Sequence, residues 1–190
     1  MRCLPFVAVW LLYAASLHAA RERFLSPDGR SEVRIVHSAM PGTDPNTEFF
    51  TLEILRDGKR IVQAPTYGYL HGVHWNKDSS LVAINNRRGN AGDYIWVFSL
   101  PDGSCIKKPE DANGQRLDEA GSRAIRDQIK GATSDTFIRS WLTPDGWTHD
   151  GDLRFTLRAR FRTGMWDFTG VAALSNGKLV LKAGEVSEVK

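Results

Sequence analysis

Two stretches of this 190-residue sequence concentrate side chains able to do recognition chemistry. The first is Arg87-Arg88-Gly89-Asn90-Ala91-Gly92-Asp93-Tyr94, lying between β-prone runs. Its glycines would let backbone N–H groups approach an anion, while the guanidiniums pair with it. Read without a ligand, the same residues make a solvated hairpin tip, since exposed loops are polar and glycine serves turns. The second is the strand-like run Leu153 to Arg162. Leu153, Phe155, Leu157, Ala159 and Phe161 alternate there with Arg154, Thr156, Arg158, Arg160 and Arg162. Side chains two apart on a strand share a face at roughly 6.5–7 Å. Arg158, Arg160 and Arg162 are therefore spaced to grip an extended polyanion or an acidic protein patch. The plainer alternative is a ladder paired with Asp and Glu of neighbouring strands, each pair contributing about 0–1 kcal/mol. The expected binding residues are Arg87, Arg88, Gly89, Asn90, Gly92, Asp93, Tyr94, Arg158, Arg160 and Arg162.

Catalytic and metal chemistry find less support. His71 and His74 are three apart, so a strand would point them to opposite faces. A zinc site needs three or four converging ligands, and only His149, Asp150 and Asp152 could join them from a distance. Ser79, Ser80 and Ser99 lack a nucleophile-elbow context. Nothing near Cys105 would activate a thiolate. Asp145, Asp150 and Asp152 sit in Pro-Asp-Gly and His-Asp-Gly-Asp contexts that ordinary turns use. The expectation is a non-catalytic protein with no cofactor and no metal. Among the tryptophans, Trp75 and Trp96 read as packing residues. Trp141, Trp147 and Trp166 stay open between packing and an aromatic platform for a glycan or peptide, with Trp147 and Trp166 favoured because they lie in or beside loops.

The elements that must position these residues follow a repeat. Ser26–Val36 with Phe49–Pro65, Asn76–Asn86 with Tyr94–Pro109, and Thr143–Phe161 with Phe168–Gly184 each read turn, strand, loop, strand, tight turn, strand. Asp57-Gly58, Asp102-Gly103 and Asn176-Gly177 supply the tight turns, whose positive φ values these residues tolerate. Leu117, Ala120, Ala124, Ile125 and Ile129 fall on one side of a helix, with Asp118 and Glu119 early and Lys130-Gly131 at its end. That helix belongs to an insertion near 110–131 and should cover an open face of a sheet. Ser38–Glu48 and Lys107–Arg116 read as loops. The fold class expected is mainly β, with antiparallel meander units of about three strands forming a sandwich or curled sheet.

Residues 1–19 read as a signal peptide. Met1-Arg2 is followed by an apolar run from Leu4 to Leu17, and Ala19 stands at the expected cleavage point. The run is shorter than the roughly 20 apolar residues of a membrane span. Residues 20–190 then form one β-rich domain in the periplasm or outside the cell, without stable membrane insertion. Cleavage removes Cys3 and leaves Cys105 alone, so no intramolecular disulfide can form. Without Arg2, 24 basic residues face 22 acidic ones. That balance argues against nucleic acid as a bulk partner and makes any electrostatic function local.

Trp75, Asp78, the Leu81–Ile84 strand, the Tyr94–Leu100 strand and Asp102-Gly103 resemble a repeat of the TolB-type periplasmic β-propellers. Lys77 and Ser79 stand where that family has proline and glycine, whereas Ser26-Pro27-Asp28-Gly29 and Thr143-Pro144-Asp145-Gly146 keep the turn. The resemblance implies blade-like sheets, and three units fall short of the four or more blades that close a propeller. Ala91-Gly92-Asp93-Tyr94 is similar to the Ser-Gly-x-Tyr loop of small exported lysozyme inhibitors, with alanine in place of serine. The expectation is an exported β domain that binds a protein or glycan partner. The alternatives are a lysozyme-type inhibitor and a carbohydrate-binding or hydrolase accessory protein.

Overall fold

A computed structural model describes residues 20–38, 49–66, 72–87, 93–100, 105–106, 117–176 and 178–189. Its architecture starts from three short turns. In the first, the Ser26 amide donates to the Ser31 carbonyl and the Gly29 amide to the Ser26 carbonyl, both at 2.9 Å. The Ser31 amide closes the loop on Ser26 Oγ at 2.9 Å. Asn76 to Leu81 repeats this pattern. Asn76 N–H bonds the Leu81 carbonyl at 3.0 Å, Ser79 N–H the Asn76 carbonyl at 3.1 Å, and Leu81 N–H the Asn76 Oδ1 at 2.8 Å. In both turns an aspartate, Asp28 or Asp78, accepts from the amide two residues on at 3.0 Å. Small polar side chains that satisfy nearby amides are what make such sequences turn.

The third turn corrects the expected repeat. Thr143-Pro144-Asp145-Gly146 lies inside a strand. The equivalent turn is Thr148 to Asp152, one residue shorter, in which Gly151 N–H bonds the Thr148 carbonyl at 3.1 Å and Asp152 N–H bonds Thr148 Oγ1 at 3.0 Å. A left-handed residue occupies the same place in all three turns: Gly29 (φ 69°), Ser79 (φ 61°) and Gly151 (φ 83°). Ser79 takes that conformation despite its Cβ, at a cost of about 1–2 kcal/mol. Its hydroxyl accepts from the Asp28 amide at 3.2 Å, joining the first two turns.

Each turn links the first two strands of a four-stranded antiparallel meander. The first sheet runs β1 (Ala20–Leu25), β2 (Ser31–Ser38), β3 (Phe49–Arg56), β4 (Lys59–Thr66). The second runs β5 (Val73–Trp75), β6 (Leu81–Arg87), β7 (Asp93–Ser99), β8 (Cys105–Ile106). The third runs β9 (Phe137–Trp147), β10 (Leu153–Phe161), β11 (Gly164–Ser175), β12 (Lys178–Glu188). The units therefore hold four strands rather than about three. The extra strand in each precedes the turn. β1 is too charged, and β5 too short, to carry an alternating signal. Asp57-Gly58 makes its tight turn at φ 50° and 75°. Asn176 also adopts positive φ, while Asp102, Gly103 and Gly177 lie outside the described residues.

The second sheet sits in the middle and is apolar on both faces. Val82, Ile84 and Phe98 pack with Val33, Leu52 and Ile54 of the first sheet. Ala83, Ile95 and Val97 turn the other way, into a core with Leu153, Phe155, Leu157, Ala159 and Phe161 of the third. Burying each large side chain stabilises the fold by roughly 1.5–3 kcal/mol, so this alternation in β6 and β7 is what stacks the layers. No hydrophobic cluster among the described residues joins the first sheet to the third. The molecule is a stack of meanders and does not close into a barrel.

One helix, α1 (Leu117–Gln128), extends the second core. It lies against β10, β11 and β12, with Leu117, Gly121, Ser122 and Ile125 buried and Ala124 and Ile129 packed at the margin. Residues 107–116 of the insertion lie outside the described residues. The helix approaches closely because Gly121 has no side chain: a Cβ there would meet Leu157 and Phe168 at 2.7 and 2.9 Å. Gly170 and Gly184 border the same Phe168 ring. No helix among the described residues is long and apolar enough to cross a membrane.

Candidate macromolecule-binding surface

Contacts between neighbouring sheets fix which ends of the strands lie together. Trp147 Nε1 donates to the His74 carbonyl at 2.9 Å, and Asp28 N–H reaches Ser79 Oγ, so the three turns share one end. β6 and β10 run away from that end. The opposite end therefore holds the β6–β7 hairpin, the start of β9 and the β10–β11 turn. Asn85 Nδ2 donates to the Leu142 carbonyl, which fixes the level.

At this end the structure brings together part of what the sequence singled out. Arg87 and Asp93 are backbone partners at the mouth of the hairpin, and Tyr94 pairs with Asn86. Arg88, Gly89, Asn90 and Gly92 lie outside the described residues. Arg158, Arg160 and Arg162 divide. Arg158 donates to both carboxylate oxygens of Asp167 at 2.8 Å, as the ladder alternative expects, and this pair raises the guanidinium's pKa further. Arg160 and Arg162 are exposed and have no ion pair among the described residues.

Arg160 instead faces a second cation. Its partner across the strands is Arg139, and directly opposite residues share a face with Cα atoms about 4.5–5.5 Å apart. Like charges placed this way destabilise a sheet. Arg139 leans over the Trp141 ring, its guanidinium carbon 4.3 Å from the ring centroid, an arrangement that offsets part of the repulsion. Arg139 is not legible in the sequence because the turn-like Thr143–Gly146 hides β9. The alternation of Arg139, Trp141, Thr143 and Asp145 on one face is the signal that could have shown it.

The outer face of the first sheet makes the contrast. Glu53 accepts from both Arg34 and Arg60 at 2.7 Å. Burial alone would push its pKa up, yet these two hydrogen bonds and charges outweigh it and hold the carboxyl below its ordinary range. Arg23 pairs with Glu32, and Arg30 with Asp57. Charge on that face is neutralised locally. At the hairpin end of the third sheet it is not.

The remaining candidates resolve into structure. Trp166 is buried against Phe161 at 5.6 Å between centroids, so it is not an open platform. Its register opposite Ala159 points it inward. Trp147 is anchored by its bond to His74, and Trp75 and Trp96 pack at the margin of the first core. Ser80 Oγ bonds Asp78 at 2.6 Å. His71 lies outside the described residues. His149 and Asp150 are exposed in the third turn, while Asp152 pairs with Lys182 at 2.6 Å. Among the described residues, no three His, Cys, Asp or Glu converge on a metal-sized site. His74 packs between sheets beside the Pro144 carbonyl, Asp145 and Arg154. Burial, the largest influence, lowers its pKa.

No protein-family model and no curated protein matches the chain. The propeller-like and inhibitor-like resemblances therefore rest on the residues that carry them.

Proposed function

We propose that this chain is an exported, non-catalytic β module that docks a macromolecular partner at the hairpin end of its second and third sheets. The observation that carries the reading is the Arg139–Arg160 pair. Two exposed guanidiniums are held side by side with no carboxylate between them among the described residues, while on the first sheet Arg23, Arg30, Arg34 and Arg60 are each paired with a carboxylate. A fold keeps such a pair at a cost to itself, and an anionic partner turns that cost into affinity. Arg162 and the mouth of the Arg87–Asp93 hairpin stand at the same end, so one partner can reach all of them. Export is supported by the signal-like residues 1–19, after which β1 begins at Ala20.

The test is affinity capture from envelope and extracellular fractions, comparing the chain from Ala20 onward with an Arg139→Glu/Arg160→Glu variant. The expected result is a partner held by the first and lost by the second, at nearly equal melting temperature, because exposed substitutions change stability by about 0.5 kcal/mol or less. Undiminished capture by the variant moves the site elsewhere. No retention of any protein or glycan ends the reading.

A further inference from the structure

The chemistry of the partner can be narrowed from what stands beside the two arginines. β10 and β9 lose register between Arg160 and Phe161, because Arg160 pairs with Arg139 while Phe161 pairs with Phe137. Ile138 is left unopposed, a bulge at the edge of the third sheet. Bulges at sheet edges re-aim side chains, and Ile138 is 50% exposed with Phe137 beside it at 38%. Further along, β9 is covered: Leu142 is buried and its carbonyl takes the bond from Asn85. The start of β9 therefore carries Arg139 on the face it shares with Arg160, and Phe137, edge-on against Phe161 at 5.6 Å, on the other, with Ile138 unopposed between them.

We infer that this corner receives an acidic polypeptide segment that alternates carboxylate and apolar side chains. The inference rests on the binding-module reading above and adds the ligand class to it. A sulfated or phosphorylated polymer would pair with the guanidiniums but gain nothing from Ile138 and Phe137. An extended polypeptide matches both features. Its alternate side chains lie roughly 6.5–7 Å apart on one face, so carboxylates can line up toward the guanidiniums while the intervening side chains, on the other face, are free to be apolar.

Fluorescence anisotropy on the whole chain from Ala20 onward tests this with three probes: a short labelled peptide alternating glutamate and valine, a polyglutamate of equal length, and heparin. The expected result is that the alternating peptide binds at least about tenfold tighter than polyglutamate. Ile138→Ser should erase that difference, and Arg139→Ala/Arg160→Ala should weaken both peptides by about tenfold or more. Melting curves confirm that each variant is folded. Heparin binding that exceeds peptide binding and ignores Ile138→Ser would replace the inference with a glycan site. Equal binding of the two peptides, or none, would overturn it. If capture by the arginine pair persists in either case, only the ligand class falls; if capture fails too, the binding-module reading falls with it.

Discussion

His74 shows how a residue with functional chemistry becomes a structural one. The sequence offered it as a metal ligand, and its spacing from His71 argued against that. The structure places it between the second and third sheets, where Asp145 and the Pro144 carbonyl favour its charged form while burial and Arg154 oppose it. Burial dominates, so the folded pKa lies below the ordinary 6.5. The unfolded chain then binds the proton more readily, and the sign follows by linkage. His74 costs no stability above about pH 6.5, and stability falls as pH drops below that value toward the folded pKa. Thermal melts from pH 8 to pH 5 should show this decline, and His74→Gln should flatten it. An unchanged slope in the variant would mean other groups carry it. The arginines at this scale were half legible. Alternation in β10 displayed Arg158 and Arg160 on one face, but which of them is neutralised depends on Asp167, a residue that only the register of β11 brings opposite.

At the scale of elements, the turns were legible as chemistry and ambiguous as position. Thr143-Pro144-Asp145-Gly146 has better turn residues than Thr148-His149-Asp150-Gly151, yet it lies in β9. Proline is tolerated in β9 because it is an edge strand, where a missing N–H removes no ladder bond. The pattern of hydrogen bonds, not turn propensity, distinguishes the two, and a linear sequence does not display it. The helix was read from its apolar spacing, but its contact line runs through Gly121, a residue that pattern-reading scores against a helix. Phe168 explains the glycine: Gly121, Gly170 and Gly184 leave room for its ring. Gly184→Val should overfill that slot and destabilise the protein by about 1–3 kcal/mol, measured by urea unfolding. Adding Phe168→Leu should recover part of the loss. A neutral Gly184→Val would mean the ring moves aside freely.

Across the whole molecule, three successive meanders make a stack whose two outer faces are polar. Repeated turns and alternating strands make the mainly β class readable in advance, whereas the fourth strand of each unit is hidden by charge in β1, by shortness in β5 and by the turn-like Thr143–Gly146 in β9. The two outer faces bear charged side chains, Arg34 with Glu53 on the first sheet and Arg158 with Asp167 on the third. They also separate the ends electrically. The first sheet pairs Arg23, Arg30, Arg34 and Arg60 with carboxylates, whereas the third leaves Arg139 and Arg160 facing each other. The most direct test compares charge reversals on the two faces, Arg139→Glu/Arg160→Glu against Arg23→Glu, by titrating the captured partner at low and moderate salt. The account expects at least about a tenfold loss of affinity and a shallower salt dependence only for the third-sheet variant. Equal losses from both variants, or none from the arginine pair, would contradict it.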